Sequence, residues 1–258
     1  MFSYSFPNFG KGRILKKEML ENLRDYPRNF FEIYFKDHSN GIISGADVCI
    51  GGSEITIKKG IIKHGDRIYM LEEEFILPYY PTNKEMLIKI KFLDEAVNGD
   101  FNVYTSKIFL DDNTTVNNDE LELGRFKLRE GSLLRSDYKD FYDFSTEFNT
   151  INIINVEYTG LKQSTISPDI LRYYSKIALK HNIDNPYDVT FAMQCINDNL
   201  VERDVILYYI SNRLGMDYKD YPNIQIYKYL TMILREIESG GRRRADARPN
   251  RPSRIIVD

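Results

Sequence analysis

Tryptophan is absent from the 258 residues, cysteine occurs only as Cys49 and Cys195, and histidine only as His38, His64 and His181. The cysteines lie far apart in sequence, so no disulfide framework and no CxxC pair is written into the chain. Each histidine sits beside polar turn or helix-end residues, without a second His or Cys at ligand spacing, which argues against a metal site. His64 reads as a solvated turn residue and His181 as a solvated helix-end residue favoured by the helix dipole. GxSxG, HExxH and GxxxxGK[ST] are missing as well, so nucleophilic catalysis and phosphate-loop chemistry have no textual support. No run of about eighteen apolar residues occurs, so no membrane span is expected. The start, MFSYSFPNFGKGRILKK, lacks the apolar core of a secretory signal, which suggests cytoplasmic synthesis without disulfides.

Hydrophobic content of 42% and charged content of 28% are ordinary for a globular chain able to bury a real core in one or two domains. Nineteen Tyr and fifteen Phe are less ordinary. Tyrosine serves both interfaces and strands, and strand formation is the plainer expectation. The net charge of −3 is unevenly placed: the nineteen residues after Ser239 carry six Arg against two Asp, leaving −7 on the remainder.

RILKKEMLENLRDY places Leu15, Met19, Leu23 and Tyr26 at helical intervals, predicting an amphipathic helix ended by Pro27. FFEIYF then opens a β-rich region. In residues 44–71, Ile55, Ile57 and Ile61 share one parity, and Lys63-His64-Gly65-Asp66 reads as a turn. Ile68 and Met70 share a face of the returning strand, so Gly51-Gly52-Ser53 serves a β-hairpin rather than a phosphate loop. EMLIKIKFL alternates Met86, Ile88, Ile90 and Phe92 with lysines, Asn98-Gly99 signals a turn, and FNVYTSKIFL follows. LELGRFKL switches parity between Leu123 and Phe126, which a β-bulge at Gly124 reconciles. No helical crossover interrupts the strands, so the sheet should be antiparallel. DDNTTVNND, residues 111–119, has an oxygen-rich look but lacks the glycine and closing Glu of a calcium loop, and reads as a polar hairpin tip. Glu72-Glu73-Glu74 and Asp111-Asp112 read as solvated charge rather than paired catalytic carboxylates. Asp94-Glu95-Ala96 resembles an acidic magnesium box, but no phosphate loop accompanies it.

From about residue 165 the period becomes helical. Ser167-Pro168-Asp169 and Asn185-Pro186 open two helices, VERDVILYYISNRLG a third closed by Gly215, and a fourth runs from near Pro222 to Gly240. The expected fold class is α+β: an antiparallel β sandwich-like domain with an N-terminal helix, then a small four-helix domain and an extended basic C-terminal arm. The boundaries are residues 1–40 for the helix and lead-in, 41–162 for the β domain, 163–239 for the helices and 240–258 for the arm.

The arm offers Arg242, Arg243, Arg244, Arg248, Arg251 and Arg254 to an acidic partner and Ile255, Ile256 and Val257 to a groove or sheet edge. It has no aromatic residue for base stacking, so nucleic acid is the lesser reading despite up to about six possible phosphate contacts. The acidic remainder of a neighbouring copy is one partner that fits. A passive solubilising tail and a carbohydrate-binding β domain stand as alternatives.

The stretch IISGADVCIGGSEITIKKGIIKHGDRIYML, followed by DELELGRFKLREGSLLRSDYKDFYDFSTEFNTIN, resembles the particle-attaching region of baseplate and tail-fibre-associated proteins of phages and phage-tail-like bacteriocins of Gram-positive bacteria. The resemblance spans roughly residues 10–160 and includes no catalytic residue. It implies a structural, non-enzymatic subunit without cofactor, made in the bacterial cytoplasm and incorporated in multiple copies into a virion or tail-like particle. Its partners would be other baseplate or tail proteins and a fibre or receptor-binding protein. No long repetitive shaft follows, which favours an adaptor over a host-recognising fibre.

Overall fold

The computed structural model describes residues 1–99, 101–181 and 183–240, so the Arg-rich arm and its Ile255, Ile256 and Val257 lie outside the described residues. The architecture is α+β: an N-terminal helix, small antiparallel sheets, and four further α-helices. The first helix, α1 (Lys17–Tyr34), corrects an expectation, because it runs through Pro27 for two more turns and takes in most of FFEIYF. Proline removes only its own N–H, so the Leu23 carbonyl loses a helical donor while the turns on either side stay intact. The strong 3.6-residue period past Pro27 outweighs that local loss.

Residues 41–78 fold into six short strands: β1 (Gly41–Gly45), β2 (Val48–Gly51), β3 (Glu54–Ile57), β4 (Gly60–His64), β5 (Arg67–Leu71) and β6 (Phe75–Pro78). They form two three-stranded sheets, ordered β1-β4-β5 and β2-β3-β6. The β4–β5 hairpin forms as expected, with Gly65-Asp66 joining His64 to Arg67. The strand containing Ile55, Ile57 and Ile61 does not form as one piece. The chain changes sheets at Lys58-Lys59, so Ile55 and Ile57 are buried with Ile62 rather than Ile61. On β5 the inward residues are Tyr69 and Leu71, and Met70 is 65% exposed. The change of sheet depends on two facing glycines. Gly45 has φ +64°, and a Cβ there would stand 2.2 Å from the Lys59 carbonyl oxygen; one on Gly60 would stand 2.3 Å from the Ala46 nitrogen.

The third sheet has β7 (Glu85–Phe92) at its centre, flanked by β10 (Ser106–Asp111) and β11 (Glu120–Lys127), with the small hairpin β8 (Ala96–Asn98) and β9 (Phe101–Val103) between. Both flanking strands run antiparallel to β7 and hence parallel to each other. DDNTTVNND is therefore not a hairpin tip. It carries the chain from the Leu87 end of β7 back to the Lys91 end, crossing the face that bears Lys89. The bulge is where expected: Glu122 pairs with Lys89 and Gly124 with Ile88, leaving Leu123 as the extra residue, and Leu121, Leu123, Phe126 and Leu128 are all buried. One apolar cluster collects residues from all three sheets, among them Ile42, Ile55, Leu77, Ile88 and Leu121.

A second cluster belongs to the helices α2 (Pro168–Ala178), α3 (Pro186–Asn197), α4 (Arg203–Leu214) and α5 (Asn223–Glu238). The helix starts and stops match the sequence signals. Pro168 and Pro186 occupy first turns, the Asn185 side chain accepts from the Tyr187 N–H, and Gly215 closes α4 at φ +64°. Residues 141–154 also supply this cluster, with Phe141 and Phe144 of a short 3-10 helix (Phe141–Ser145) and Ile154. Ile153 packs against both clusters and so ties them together.

A candidate interaction surface

Among the described residues, α1 is the one long element with no buried residue. Its apolar positions nevertheless form a regular stripe. Met19, Leu23, Tyr26, Phe30 and Ile33 follow one another at intervals of four, three, four and three, with Leu20 and Tyr34 widening one flank. Leu23 is 49% exposed, Phe30 57% and Ile33 74%. The preceding segment adds Phe2, Tyr4, Phe6 and Phe9, all exposed, and Tyr4 meets Tyr26 edge to face at 5.8 Å between ring centroids. At about half exposure, large apolar side chains leave on the order of 100 Å² apiece, so the seven of the stripe present roughly 700 Å² of apolar surface. That exceeds the patch size at which a contact surface becomes the default reading.

The charges of α1 stay off the stripe and pair within the helix. Lys17 meets Glu21 at 3.2 Å, Arg28 meets Glu32 at 2.8 Å, and Arg24 grips Asp25 through two bonds of 2.6 and 2.8 Å. Those hydrogen bonds hold the Asp25 carboxyl below the usual carboxylate range. Past its end, α1 is tied to the body near residues 37–39: Ser39 donates its N–H to the Gly160 carbonyl at 2.9 Å, and Asp37 accepts from the Lys162 N–H at 2.8 Å. Tyr34 stacks on His38, placing the last turn beside this attachment.

Away from this surface, the body holds charges that are buried and paired. Lys89 has no exposed surface, and its Nζ donates to Asp111 at 2.9 Å and to the Thr115 carbonyl at 2.5 Å, with Glu120 at 3.3 Å. Burial pulls the Lys89 pKa down, but its bonds to Asp111 and Glu120 outweigh that and leave it raised. Asp188 accepts from Arg213 Nε at 2.6 Å and from the Tyr209 hydroxyl at 2.8 Å, deep among the helices. Arg135 clamps Asp143 through two bonds and drives its carboxyl far below the usual range. Such groups fix the fold; none opens onto a cleft holding a second reactive group.

The other sequence candidates are scattered. His64 is not a solvated turn residue: its ring stacks on Phe92 at 4.0 Å, and burial pushes its pKa down. His181 is exposed beyond α2, and Glu72-Glu73-Glu74 are exposed, with Glu74 paired to Lys58 at 2.8 Å. Glu95 accepts a hydrogen bond from the Tyr104 hydroxyl at 2.5 Å. Among the described residues no group of three or more His, Cys, Asp or Glu could hold a metal ion, and no helix is long and apolar enough to cross a membrane. The tyrosines divide among roles: Tyr69 packs inward from β5, Tyr26 and Tyr34 lie on the α1 stripe, and others tie the backbone. Tyr79, Tyr138, Tyr173 and Tyr227 each donate a hydroxyl to a backbone carbonyl, of Gly52, Ile151, Tyr138 and Phe141, closing irregular segments that lack sheet partners. Reading Pro27 as a stop hid the second half of the α1 stripe; its four-three spacing through the proline was the signal that carried it.

No protein-family model matches the chain, and no curated protein matches it. Among solved structures it is similar to a crystal structure of TssK, with a TM-score of 0.45 and 6% identity over 92% of this chain and 72% of that one. It is also similar to the TssK-TssF-TssG baseplate subcomplex of the type VI secretion system, determined by cryo-electron microscopy, with a TM-score of 0.41 and 6% identity over 91% of this chain and 99% of that one.

Proposed function

We propose that this chain is a structural subunit of a contractile tail-like particle, a baseplate component or an adaptor that attaches a fibre or receptor-binding protein, with no catalytic role and no cofactor. The observation that carries the reading is the apolar stripe of α1, which nothing in the described chain covers. A surface of that size on an 18-residue helix suits a chain that completes its packing in an assembly. The particle type rests on the resemblance of residues 10–160. Its ELELGRFKLREG phrase forms the bulged strand β11 and the turn after it, where its apolar residues serve packing. The basic arm supplies a second contact, with Arg242, Arg243, Arg244, Arg248, Arg251 and Arg254 docking on an acidic neighbour and Ile255, Ile256 and Val257 filling a groove. The chain is then made in the bacterial cytoplasm and built into the particle.

The test is to sediment high-molecular-weight particles from the native host and ask by mass spectrometry whether this chain travels with sheath and tube proteins. Stoichiometric co-sedimentation supports the reading, and recovery only in the supernatant refutes it. Truncation after Ser239 examines the arm separately, since intact assembly without it removes the latch.

A further inference from the structure

The α1 stripe has a geometry that selects its occupant. Let Leu23 and Phe30 take position a of a heptad; Met19, Tyr26 and Ile33 then fall at d, and Leu20 and Tyr34 at e. Apolar residues at a, d and e are the pattern by which a helix packs on other helices at a shallow angle. The charges of the helix proper fall at b, c and f: Glu18, Glu21, Asp25, Arg28 and Glu32 on the far side, and Lys17 and Arg24 at b, where with Phe31 they border the e flank. Position g holds Asn22 and Asn29, which are polar and neutral.

Helices that choose a different partner commonly do so through charges at e and g. Here e and g carry no charge, and Lys17, Glu21, Arg24, Asp25, Arg28 and Glu32 are already paired along the helix at 2.6–3.2 Å. A second α1 therefore meets this face with neutral asparagines along one edge and, along the other, the cations Lys17 and Arg24 already paired to Glu21 and Asp25. The surface available, roughly 700 Å² per copy, is close to the approximately 800 Å² that each partner contributes to a standard stable interface. The body leaves the helix free for this, since α1 contributes no residue to either buried cluster.

We infer that α1 is a self-association helix: it packs against α1 of further copies of this chain, through the Met19–Ile33 stripe, in a helical bundle that joins subunits. This deepens the assembly reading, and it rests on α1 being the assembly surface. Tyr4, which meets Tyr26 edge to face and Phe6 at 5.7 Å between ring centroids, adds exposed aromatic surface beside the stripe.

The experiment is sedimentation velocity and light scattering on the full chain at about 1–100 µM, the range in which an interface of this size populates oligomers. The wild type is expected to show a mass at least twofold that of one chain, and Leu23→Glu with Phe30→Glu to return it to the mass of one chain. Because neither position is buried, far-UV circular dichroism and the urea midpoint should stay close to wild type, which separates loss of association from loss of folding. Arg24→Ala with Arg28→Ala, on the outward face, should leave the oligomer intact. As a second readout, Tyr26→Cys in a Cys49→Ser background should cross-link copies on mild oxidation, and Arg28→Cys in that background should not. A monomeric wild type across the range, or an oligomer indifferent to the two glutamates, overturns the inference. A monomeric chain that still co-sediments with particles would remove self-association and leave the assembly reading standing. An oligomeric chain found only in the supernatant would do the reverse.

Discussion

Replacing Lys89 by Met tests the account of the crossover at residues 112–119. The side chain has no exposed surface, and its ammonium group is held by Asp111, Glu120 and the Thr115 carbonyl. Methionine keeps the stem and removes the charge. Glu120 then retains Asn117, whose N–H lies at 3.1 Å, and Asp111 retains the Asn113 N–H at 3.0 Å. Removing one member of a buried ion pair costs about 3–5 kcal/mol. The Asp111 side chain is 25% exposed and can turn toward water, whereas that of Glu120 is 5% exposed and cannot, which favours the lower end, about 3 kcal/mol. With a urea m-value of about 3 kcal/mol/M, the midpoint at pH 7 should fall by about 1 M, read by circular dichroism.

The pH dependence carries a sign. In the wild type Asp111 and Glu120 sit below the ordinary carboxylate range, so their stabilisation is present above about pH 4 and is lost as pH falls through their folded values. The raised pKa of Lys89 gives stabilisation present below about pH 10.4 and lost only as pH rises through the folded value, so it does not vary at acid pH. Without Lys89 both carboxyls rise. The defect should be full at pH 7 and shrink as the solution is acidified, and Glu120→Gln added to Lys89→Met should restore part of it. A midpoint shift under about 0.3 M at pH 7, against the 1 M expected from a broken buried pair, would refute the reasoning, as would a shift of equal size at pH 7 and pH 4.

Asp188→Ala removes the acceptor shared by Arg213 and Tyr209 inside the helical cluster and should cost about 3 kcal/mol in chemical denaturation, whereas a surface pair would cost under about 1 kcal/mol. Gly45→Ala puts a methyl against the Lys59 carbonyl at a positive φ, and should cost about 2 kcal/mol or more or shift the β1–β4 pairing; an unchanged urea midpoint would show that the change of sheet does not depend on that glycine. Burial pushes the Cys195 thiol up to about 12, so a thiol reagent at pH 8 should titrate one cysteine, the partly exposed Cys49, in the folded chain and two in denaturant. Rapid reaction of two thiols in the native protein would contradict the packing around Cys195.

Local signals were sufficient wherever the structure is itself local. Proline at the starts of α2 and α3, glycine after α4, the Gly65-Asp66 turn and the bulge at Gly124 are each decided by a few residues whose backbone preferences point one way. The candidate surface was half legible, because Leu15 to Tyr26 already shows the helical period, while Pro27 reads as a stop until the same period resumes at Phe30.

What the sequence determined by itself is the class of the fold, the succession of a β region and a helical region, an amphipathic N-terminal helix and the charge contrast between body and arm. The tertiary structure alone decided which strands share a sheet. Alternation specifies two faces but not a partner, so Ile55 and Ile61 could be read as one strand although a pair of glycines sends them into different sheets. It also decided that β10 and β11 flank β7 rather than each other, and therefore that a lysine in an alternating strand is the buried anchor of a crossover. A charge is read as solvated unless its counter-charges are known to converge on it, and Asp111 and Glu120 converge on Lys89 only after the chain has folded.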